Sequence, residues 1–294
     1  MPDQRPALPD LDMPGSGGVA IERGGHRCLL KWHRGRRRAG DPAFTAARIR
    51  EGLALGASLE IDLLRHAGGG FAVLHDDDLH PATTGRGPVA EAEPAALRGL
   101  RLRDPDGRPS AHPVLLLEDL AALVADGPCH TQALLQLDMK TAAPEMTPAD
   151  VAGFARAVAP VARHMILSSA HAASVERLSE AVPNLPLGFD PCHGGNRERT
   201  EASGDFAGFV AGALRASPKA TTIYLHHELV LFAERAGFDL VGAFRAQDRL
   251  VDAYTITLAT PDNLRKVERL LALKVDQITT DDPEGLEALL RAAA

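Results

Sequence analysis

Short apolar runs alternate with helical patterns along the whole 294-residue chain. Eight of these runs, each four to seven residues long, are bounded by polar or turn-forming segments, which is typical of buried strands. Amphipathic patterns with helical spacing lie between them. Eight strands that alternate with helices predict an α/β fold, the TIM (β/α)8 barrel. The predicted strands span residues 28–32, 59–64, 133–139, 164–169, 185–189, 222–226, 251–257 and 277–280, and the clearest predicted helices span residues 44–55, 147–161, 172–181, 205–215 and 261–271.

Residues 71–117 interrupt this alternation. They contain a further apolar stretch, "FAVLH", a turn-rich segment, "HPATTGRGPV", and several prolines. We interpret them as a small insertion after the second strand, on the barrel face where enzymes of this fold carry their active sites. Residues 1–24 have no basic stretch followed by an apolar one, and we predict a flexible N-terminal tail there. Residues 25–294 are then predicted to form a single barrel domain.

Carboxylates occupy alternate positions of one predicted strand and the end of another. Glu60 and Asp62 lie two residues apart, so both side chains point to the same face of the second strand. Burial of two carboxylates on one face is costly unless a cation lies between them. Asp138 lies near the end of the third strand, where barrel enzymes carry active-site residues. These three oxygen donors predict a site for one divalent cation, Mg²⁺ or Ca²⁺, with Mn²⁺ also suitable.

Two cationic side chains accompany the predicted metal site. Lys140 follows Asp138 by two residues and shares its face, and Arg34 ends the first strand in the sequence "KWHRG". A divalent cation flanked by Arg and Lys suits an anion with several oxygens, and phosphate is the commonest such substrate. We therefore predict that Arg34 and Lys140 bind a substrate phosphate.

Two histidines supply the remaining chemistry. Cleavage of a phosphoester near neutral pH needs one group that accepts a proton and another that donates one. His33 ends the first strand and His75 ends the apolar run "FAVLH", so we predict that these two residues are catalytic. His171, His226 and His227 have no comparable context, and we expect them to be structural.

Composition limits the partners and the compartment. The chain carries 32 basic and 39 acidic residues, a net charge of −7, which argues against nucleic acid as a partner. The three cysteines, Cys28, Cys129 and Cys192, lack the spacing of a disulfide framework or a zinc site, which favours a reducing compartment. No apolar run approaches the roughly 18 residues of a membrane-spanning helix. We expect a cytoplasmic protein that acts on a small molecule, and no pattern predicts its oligomeric state.

Several motifs occur in the order and at the spacing of one known family. The chain resembles the glycerophosphodiester phosphodiesterase family from Trp32 to Pro283. This resemblance implies the same roles as the residue-level argument: acid–base catalysis by His33 and His75, metal binding by Glu60, Asp62 and Asp138, and phosphate binding by Arg34 and Lys140. The motifs are "HRG" at 33–35, "EID" at 60–62, "HD" at 75–76, "TTGRGPV" at 83–89, "LDMK" at 137–140 and "ITTDDP" at 278–283.

The sequence departs from the family pattern at four places. The family motif P-E-N-T is replaced by "PAFT" at 42–45, so its Glu and Asn are missing, and the hinge T-x-D-G is replaced by "HAGG" at 66–69. Asp138 stands where the family usually has Glu, and Tyr254 stands where it usually has Trp. A ligand one methylene shorter leads us to expect modest metal affinity.

The resemblance implies metal-dependent hydrolysis of a glycerophosphodiester to glycerol 3-phosphate and an alcohol. The neighbouring glycerol hydroxyl attacks first to give a cyclic phosphate, or water attacks directly; both routes are compatible with the residues. Two other functions are also compatible. One is a catalytically silent barrel that binds a phosphate-containing ligand, consistent with the missing Glu and Asn. The other is the activity of the related sphingomyelinase D-like enzymes, which share an Asp-x-Lys pair but lack the "HRG" triplet and the insertion.

Overall fold

A closed barrel of eight parallel strands forms the centre of the protein, whose computed structural model describes residues 17–293. The strands of the described residues are β1 (Ala20–Arg23), β2 (His26–Trp32), β3 (Ser58–His66), β4 (Gly70–Val73), β5 (Arg101–Arg103), β6 (Pro109–Pro113), β7 (Leu134–Met139), β8 (Met165–Ser168), β9 (Gly188–Phe189), β10 (Thr222–His226), β11 (Leu250–Ile256) and β12 (Gln277–Thr280). The barrel strands are β2, β3 and β7 to β12, and a parallel bridge between Leu167 and Leu187 closes the ring. The predicted TIM barrel is therefore confirmed.

The eight predicted strands coincide with the eight barrel strands. The largest difference is at β9, which begins three residues later than the predicted run 185–189. Gly188 lies against the ring of Tyr224 on the next strand, and a Cβ atom at Gly188 would approach that ring to 2.4 Å. A side chain at this position would therefore collide with β10.

Helices cover the outside of the barrel, and local sequence signals begin several of them. Thr45 caps α1 by accepting a hydrogen bond from the Arg48 N–H, and Thr147 forms a capping box with Asp150 at the start of α4. The predicted helix 147–161 continues as a 3₁₀ turn after Val158. The helices are α1 (Ala46–Leu55), α2 (Pro94–Gly99), α3 (Leu117–Asp126), α4 (Pro148–Val158), α5 (Ala172–Ala181), α6 (Asn196–Ser203), α7 (Phe206–Ala216), α8 (His227–Arg235), α9 (Leu240–Arg245), α10 (Pro261–Ala272) and α11 (Pro283–Ala292).

The structure differs from the predicted N-terminal tail over its last residues. Residues 1–16 of that tail lie outside the described residues, but Ala20–Arg23 forms β1, which pairs with β2 in an antiparallel hairpin. Gly24 and Gly25 make the turn, both with positive φ. Two glycines between two apolar runs are a known hairpin signal, so this strand could have been recognised from the sequence.

The predicted insertion contains two antiparallel elements. The chain reverses after β3, and β4 pairs with β3 so that Leu63 lies opposite Val73. Further along the chain, β5 and β6 form a small separate hairpin. The pairing of β4 with β3 matters for the site, because the residues that follow Val73 come to lie beside Asp62 on β3.

Alternate side chains of the barrel strands point outward to the helices and inward to the barrel interior. Leu59, Ile61 and Leu63 on β3 are fully buried in the apolar layer between the barrel and the helices, where Gly52 of α1 lies against Leu59. Glu60 and Asp62 alternate with them and point into the barrel. No helix in the described part of the chain is long and apolar enough to cross a lipid bilayer.

Candidate active site

Three carboxylates meet at one end of the barrel. β3 and β7 are neighbours, and their register places Asp62 directly beside Asp138. Glu60, Asp62 and Asp138 each offer an oxygen, and these oxygens all lie within 4.8 Å of one another. We call these three residues the acidic cluster. The sequence places Glu60 and Asp62 on one face, and the pairing of β3 with β7 adds Asp138.

The acidic cluster has the properties of a site for a divalent cation. Asp62 is 1 % exposed, and neither of its oxygens accepts a well-directed hydrogen bond, although the Lys140 ammonium lies 2.9 Å from one of them. Burial, followed by repulsion from Glu60, raises the pKa of Asp62 to about 7, while Lys140 opposes this rise. Because the neighbouring cations, Lys140 and Arg34, carry fewer charges than the three carboxylates, a hard divalent cation fits this donor set.

Lys140 and Arg34 lie against the acidic cluster. Lys140 forms ion pairs with both Asp62 and Asp138, and Arg34 Nε lies 3.6 Å from Asp62 Oδ2. Burial alone would lower the pKa of Lys140, but the charges of Asp138, Asp62 and Glu60 raise it above its ordinary value, so Lys140 is a cation. Burial would also raise the pKa of Asp138, yet Lys140 and a hydrogen bond from Ser168 lower it. The structure thus brings together all five predicted ligand and phosphate residues.

The "HRG" triplet connects β2 to the acidic cluster by its backbone. Arg34 adopts a left-handed conformation with a φ of 54°, and its N–H donates to Glu60 Oε2 at 2.8 Å. Gly35 follows with a φ of 65°, and a Cβ atom there would lie 3.2 Å from Ile49. The tight turn therefore favours glycine after arginine, and it fixes one oxygen of Glu60.

A carboxylate orients His33. Its Nδ1 lies 2.7 Å from Asp281 Oδ1, and the Arg36 guanidinium donates to the same oxygen at 2.8 Å. Burial would raise the pKa of Asp281, but the hydrogen bond and charge of His33 and the charge of Arg36 lower it below its ordinary value. A neutral ring that donates from Nδ1 to an ionised carboxylate leaves Nε2 free to accept a proton.

A second carboxylate orients His75. Its Nδ1 lies 2.7 Å from Asp76 Oδ1, and the two side chains are 36 % and 46 % exposed. The return of the chain along β4 brings His75 close enough to Asp62 for its charge to lower the pKa of that carboxyl group. We call His33–Asp281 and His75–Asp76 the two histidine pairs.

Sequence reasoning did not assign roles to several residues of this region. Asp281 lies in the quoted motif "ITTDDP", but no local signal indicates that it contacts His33, which is 248 residues away. His193, after β9, pairs with Asp190 at 3.0 Å, and that hydrogen bond raises the pKa of His193. Lys140 and Asp138 also act on His193 through their charges, so it faces the same end of the barrel.

Two of the three histidines expected to be structural form hydrogen bonds with the protein backbone. His226 accepts a hydrogen bond from the Glu228 N–H at the start of α8, and His227 Nδ1 lies 3.0 Å from the Tyr254 carbonyl. His171 precedes α5 without capping it through its side chain.

Three of the solved structures that are similar to this chain are named as phosphodiesterases. A glycerophosphodiester phosphodiesterase from Agrobacterium tumefaciens is 21 % identical, with a TM-score of 0.63 over 90 % of this chain and 99 % of its own. An enzyme of that name from Parabacteroides distasonis is 17 % identical, with a TM-score of 0.64 over 90 % and 98 %. A phosphodiesterase from Oleispira antarctica, solved with its product sn-glycerol-3-phosphate, is 16 % identical, with a TM-score of 0.62 over 89 % and 96 %.

These similarities to solved structures show the fold, and a comparison with a family model shows the family. No curated protein sequence matches the chain. The family model of the glycerophosphoryl diester phosphodiesterases matches residues 33–285, which include the acidic cluster, Lys140 and both histidine pairs. The chain belongs to the glycerophosphoryl diester phosphodiesterase family.

Proposed function

We propose that this protein hydrolyses glycerophosphodiesters to glycerol 3-phosphate and an alcohol, with one divalent cation, Mg²⁺, Ca²⁺ or Mn²⁺, held by Glu60, Asp62 and Asp138. The observation that carries the proposal is the meeting of this acidic cluster with two carboxylate-oriented histidines at the carboxyl ends of the barrel strands. The product named for the Oleispira antarctica relative supports the substrate class. The free thiols of its three cysteines are typical of a reducing cytoplasm, where we expect the enzyme to act.

The acidic cluster supplies the cation site. When bound, the cation adds positive charge next to a phosphate oxygen and lowers the pKa of a neighbouring hydroxyl group or water. Glu60 is held by the Arg34 N–H and Asp138 by the Ser168 hydroxyl, so two of the three carboxylates are oriented before any ligand binds. Preorganised ligands reduce the rearrangement needed for binding.

The two histidines exchange protons with the substrate. Each ring is anchored through Nδ1 to a carboxylate, so the nitrogen that remains for proton exchange is Nε2. We propose that one Nε2 removes the proton from the attacking hydroxyl or water, and that the other, protonated, donates to the departing alcohol oxygen. Both routes, direct attack by water and attack by the neighbouring glycerol hydroxyl, use this same pair.

Arg34 and Lys140 hold the phosphate charge. Their cationic groups lie on either side of Asp62, 3.6 Å and 2.9 Å from its oxygens. Negative charge grows on the phosphate oxygens as the nucleophile attacks, and fixed cations in a partly buried site stabilise that charge.

The test is the release of glycerol 3-phosphate from a panel of glycerophosphodiesters, with and without divalent cations after exhaustive chelation. We expect turnover that chelation abolishes and Mg²⁺, Ca²⁺ or Mn²⁺ restores. The Asp62→Asn variant is the matched control, because it keeps the shape of the side chain and removes its charge. Binding of a glycerophosphodiester without turnover would indicate the silent barrel, and cleavage of a sphingomyelin or lysophospholipid alone would indicate the sphingomyelinase D-like activity.

A further inference from the structure

A chain of buried polar side chains crosses the barrel interior and ends on Asp138. The Lys31 ammonium donates to Gln136 Oε1, Gln136 Nε2 donates to Ser168 Oγ at 2.9 Å, and Ser168 Oγ donates to Asp138 Oδ1 at 2.7 Å. Lys31 is 1 % exposed, Gln136 is 6 % exposed and Ser168 is fully buried. These side chains come from β2, β7 and β8, below the acidic cluster.

The direction of every hydrogen bond in this chain follows from Lys31. An ammonium group only donates, so the amide atom that faces it is the oxygen of Gln136, and the amide NH₂ faces Ser168. That NH₂ group donates, so Ser168 accepts with its oxygen and retains its single hydroxyl proton. The proton is therefore directed at Asp138. A neutral residue at position 31 would leave the amide free to turn over.

The charge of Lys31 is compensated at the opposite side of the barrel. Asp252 on β11 lies 2.7 Å from the ammonium group, and Thr279 donates to Asp252 at 2.7 Å. The Tyr224 ring also lies 4.2 Å from the ammonium nitrogen. Apolar side chains of similar volume often serve stability as well as a buried ion pair, so stability alone does not explain this pair.

The two oxygens of Asp138 have different partners: Ser168 contacts Oδ1, and Lys140 contacts Oδ2. With Oδ1 held, rotation of the carboxylate is restrained, and Oδ2 stays on the side of Asp62 and Glu60.

We propose that Lys31, Gln136 and Ser168 form a positioning relay that fixes the carboxylate of Asp138 for cation binding. The inference rests on the proposed function, because it requires a cation at the acidic cluster. It assigns a contribution to cation affinity to three interior residues that lie outside the acidic cluster and act on it through Asp138. Partners that orient metal ligands are typically worth about 10-fold to 100-fold in metal affinity.

The test is direct Mn²⁺ binding, measured by calorimetry and by electron paramagnetic resonance on the chelated full-length protein. Ser168→Ala deletes the donor to Asp138. Gln136→Glu keeps an oxygen that accepts from the Lys31 ammonium but replaces the amide NH₂ with a second acceptor, so the hydroxyl proton of Ser168 turns away from Asp138. We expect both variants to bind Mn²⁺ about 10-fold to 100-fold more weakly.

Ser174→Ala is the matched control. Ser174 is also a fully buried serine, but its hydroxyl donates to the Thr141 carbonyl. It should bind Mn²⁺ as the parent does, and circular dichroism with thermal unfolding checks the fold of each variant. Ser168→Ala removes a single oxygen atom and decides the question alone if Gln136→Glu fails to fold.

Two results would overturn the relay while leaving the proposed function intact. One is parental Mn²⁺ affinity in Ser168→Ala, and the other is equal weakening in Ser174→Ala. If the parent binds no Mn²⁺, or if its binding survives Asp62→Asn, the cation site itself is wrong, and the relay is overturned with it.

Discussion

The acidic cluster and the two histidine pairs lie at the same end of the barrel but are held in different ways. Glu60, Asp62 and Asp138 project from neighbouring strands, and Asp62 is almost completely buried, with Lys140 and Arg34 as its ion-pair partners among the described residues. The histidine pairs lie on the segments that follow strands and are partly exposed. Burial makes uncompensated charge costly in the acidic cluster, whereas water and dissolved salt screen the charges of the partly exposed histidine pairs.

This difference predicts that substitutions in the two regions have different effects on the enzyme. Changes in the acidic cluster alter a buried charge balance, so they should act on cation affinity. Changes in the histidine pairs leave the three carboxylates in place, so they should act mainly on the rate of proton transfer. Within the pairs there is a second contrast: His33 depends on Asp281 from the last barrel strand, whereas His75 depends on its own neighbour Asp76.

The largest effect should come from the histidines themselves. His33→Ala and His75→Ala should each lower kcat by about two to four orders of magnitude, the usual value of a positioned proton-transfer group. Mn²⁺ affinity should stay at the parental value, because neither ring belongs to the acidic cluster. Steady-state kinetics and Mn²⁺ binding measure the two quantities, with His171→Ala as the control. A near-parental rate in either variant would contradict the two-histidine mechanism.

The next effect distinguishes a cation ligand from a phosphate-binding group. Asp138→Ala should raise the cation concentration for half-maximal activity by at least about tenfold, with partial rescue at high concentration, because a negative ligand is lost. Lys140→Ala should leave that concentration nearly unchanged and lower kcat/KM instead, because its ammonium group stabilises charge on the phosphate. Cation titrations of activity compare them. An equal shift in both variants would show that the roles are not divided in this way.

A smaller effect should separate the two orienting carboxylates. Asp281→Asn should lower kcat by about tenfold, the value of one hydrogen bond to a charged group. Asp76→Asn should lower kcat less, because the Asp76 side chain is 46 % exposed and water already screens its interaction with His75. The ratio of the two kcat values at saturating cation is the measurement. A larger loss in Asp76→Asn would reverse our ranking of the pairs.

The smallest effect concerns acid stability. The pKa of Asp281 lies below its ordinary value in the folded protein, so its carboxylate stabilises the fold above its unfolded pKa of about 3.9, and this contribution is lost as the pH falls through the lower folded pKa. Asp281→Asn should therefore reduce the free energy of unfolding at pH 7 by about 1 kcal/mol and by less at pH 2. Urea unfolding at both pH values measures this. An equal loss at both would exclude a charge effect.

The sequence by itself determined the barrel, and it predicted the residues that meet in the acidic cluster. Eight apolar runs predicted the eight barrel strands because burial against a layer of helices requires apolar outward-facing residues at alternate positions. The two-residue spacing of Glu60 and Asp62 placed them on one face for the same reason. The "HRG" triplet marked the turn after β2, where Arg34 adopts a left-handed conformation before glycine. The roles given to these residues stay predictions until the experiments are done.

Only the tertiary structure decided which distant residues support the site. Strand pairing placed Asp138 beside Asp62, barrel closure placed Asp281 against His33, and the barrel interior joined Lys31 to Gln136. None of these contacts has a local signal, because the partners are 76 to 248 residues apart and lie on or after strands whose register is set by the whole sheet. The hairpin of β3 and β4 likewise determines where His75 lies, because pairing with β3 is what turns it towards Asp62.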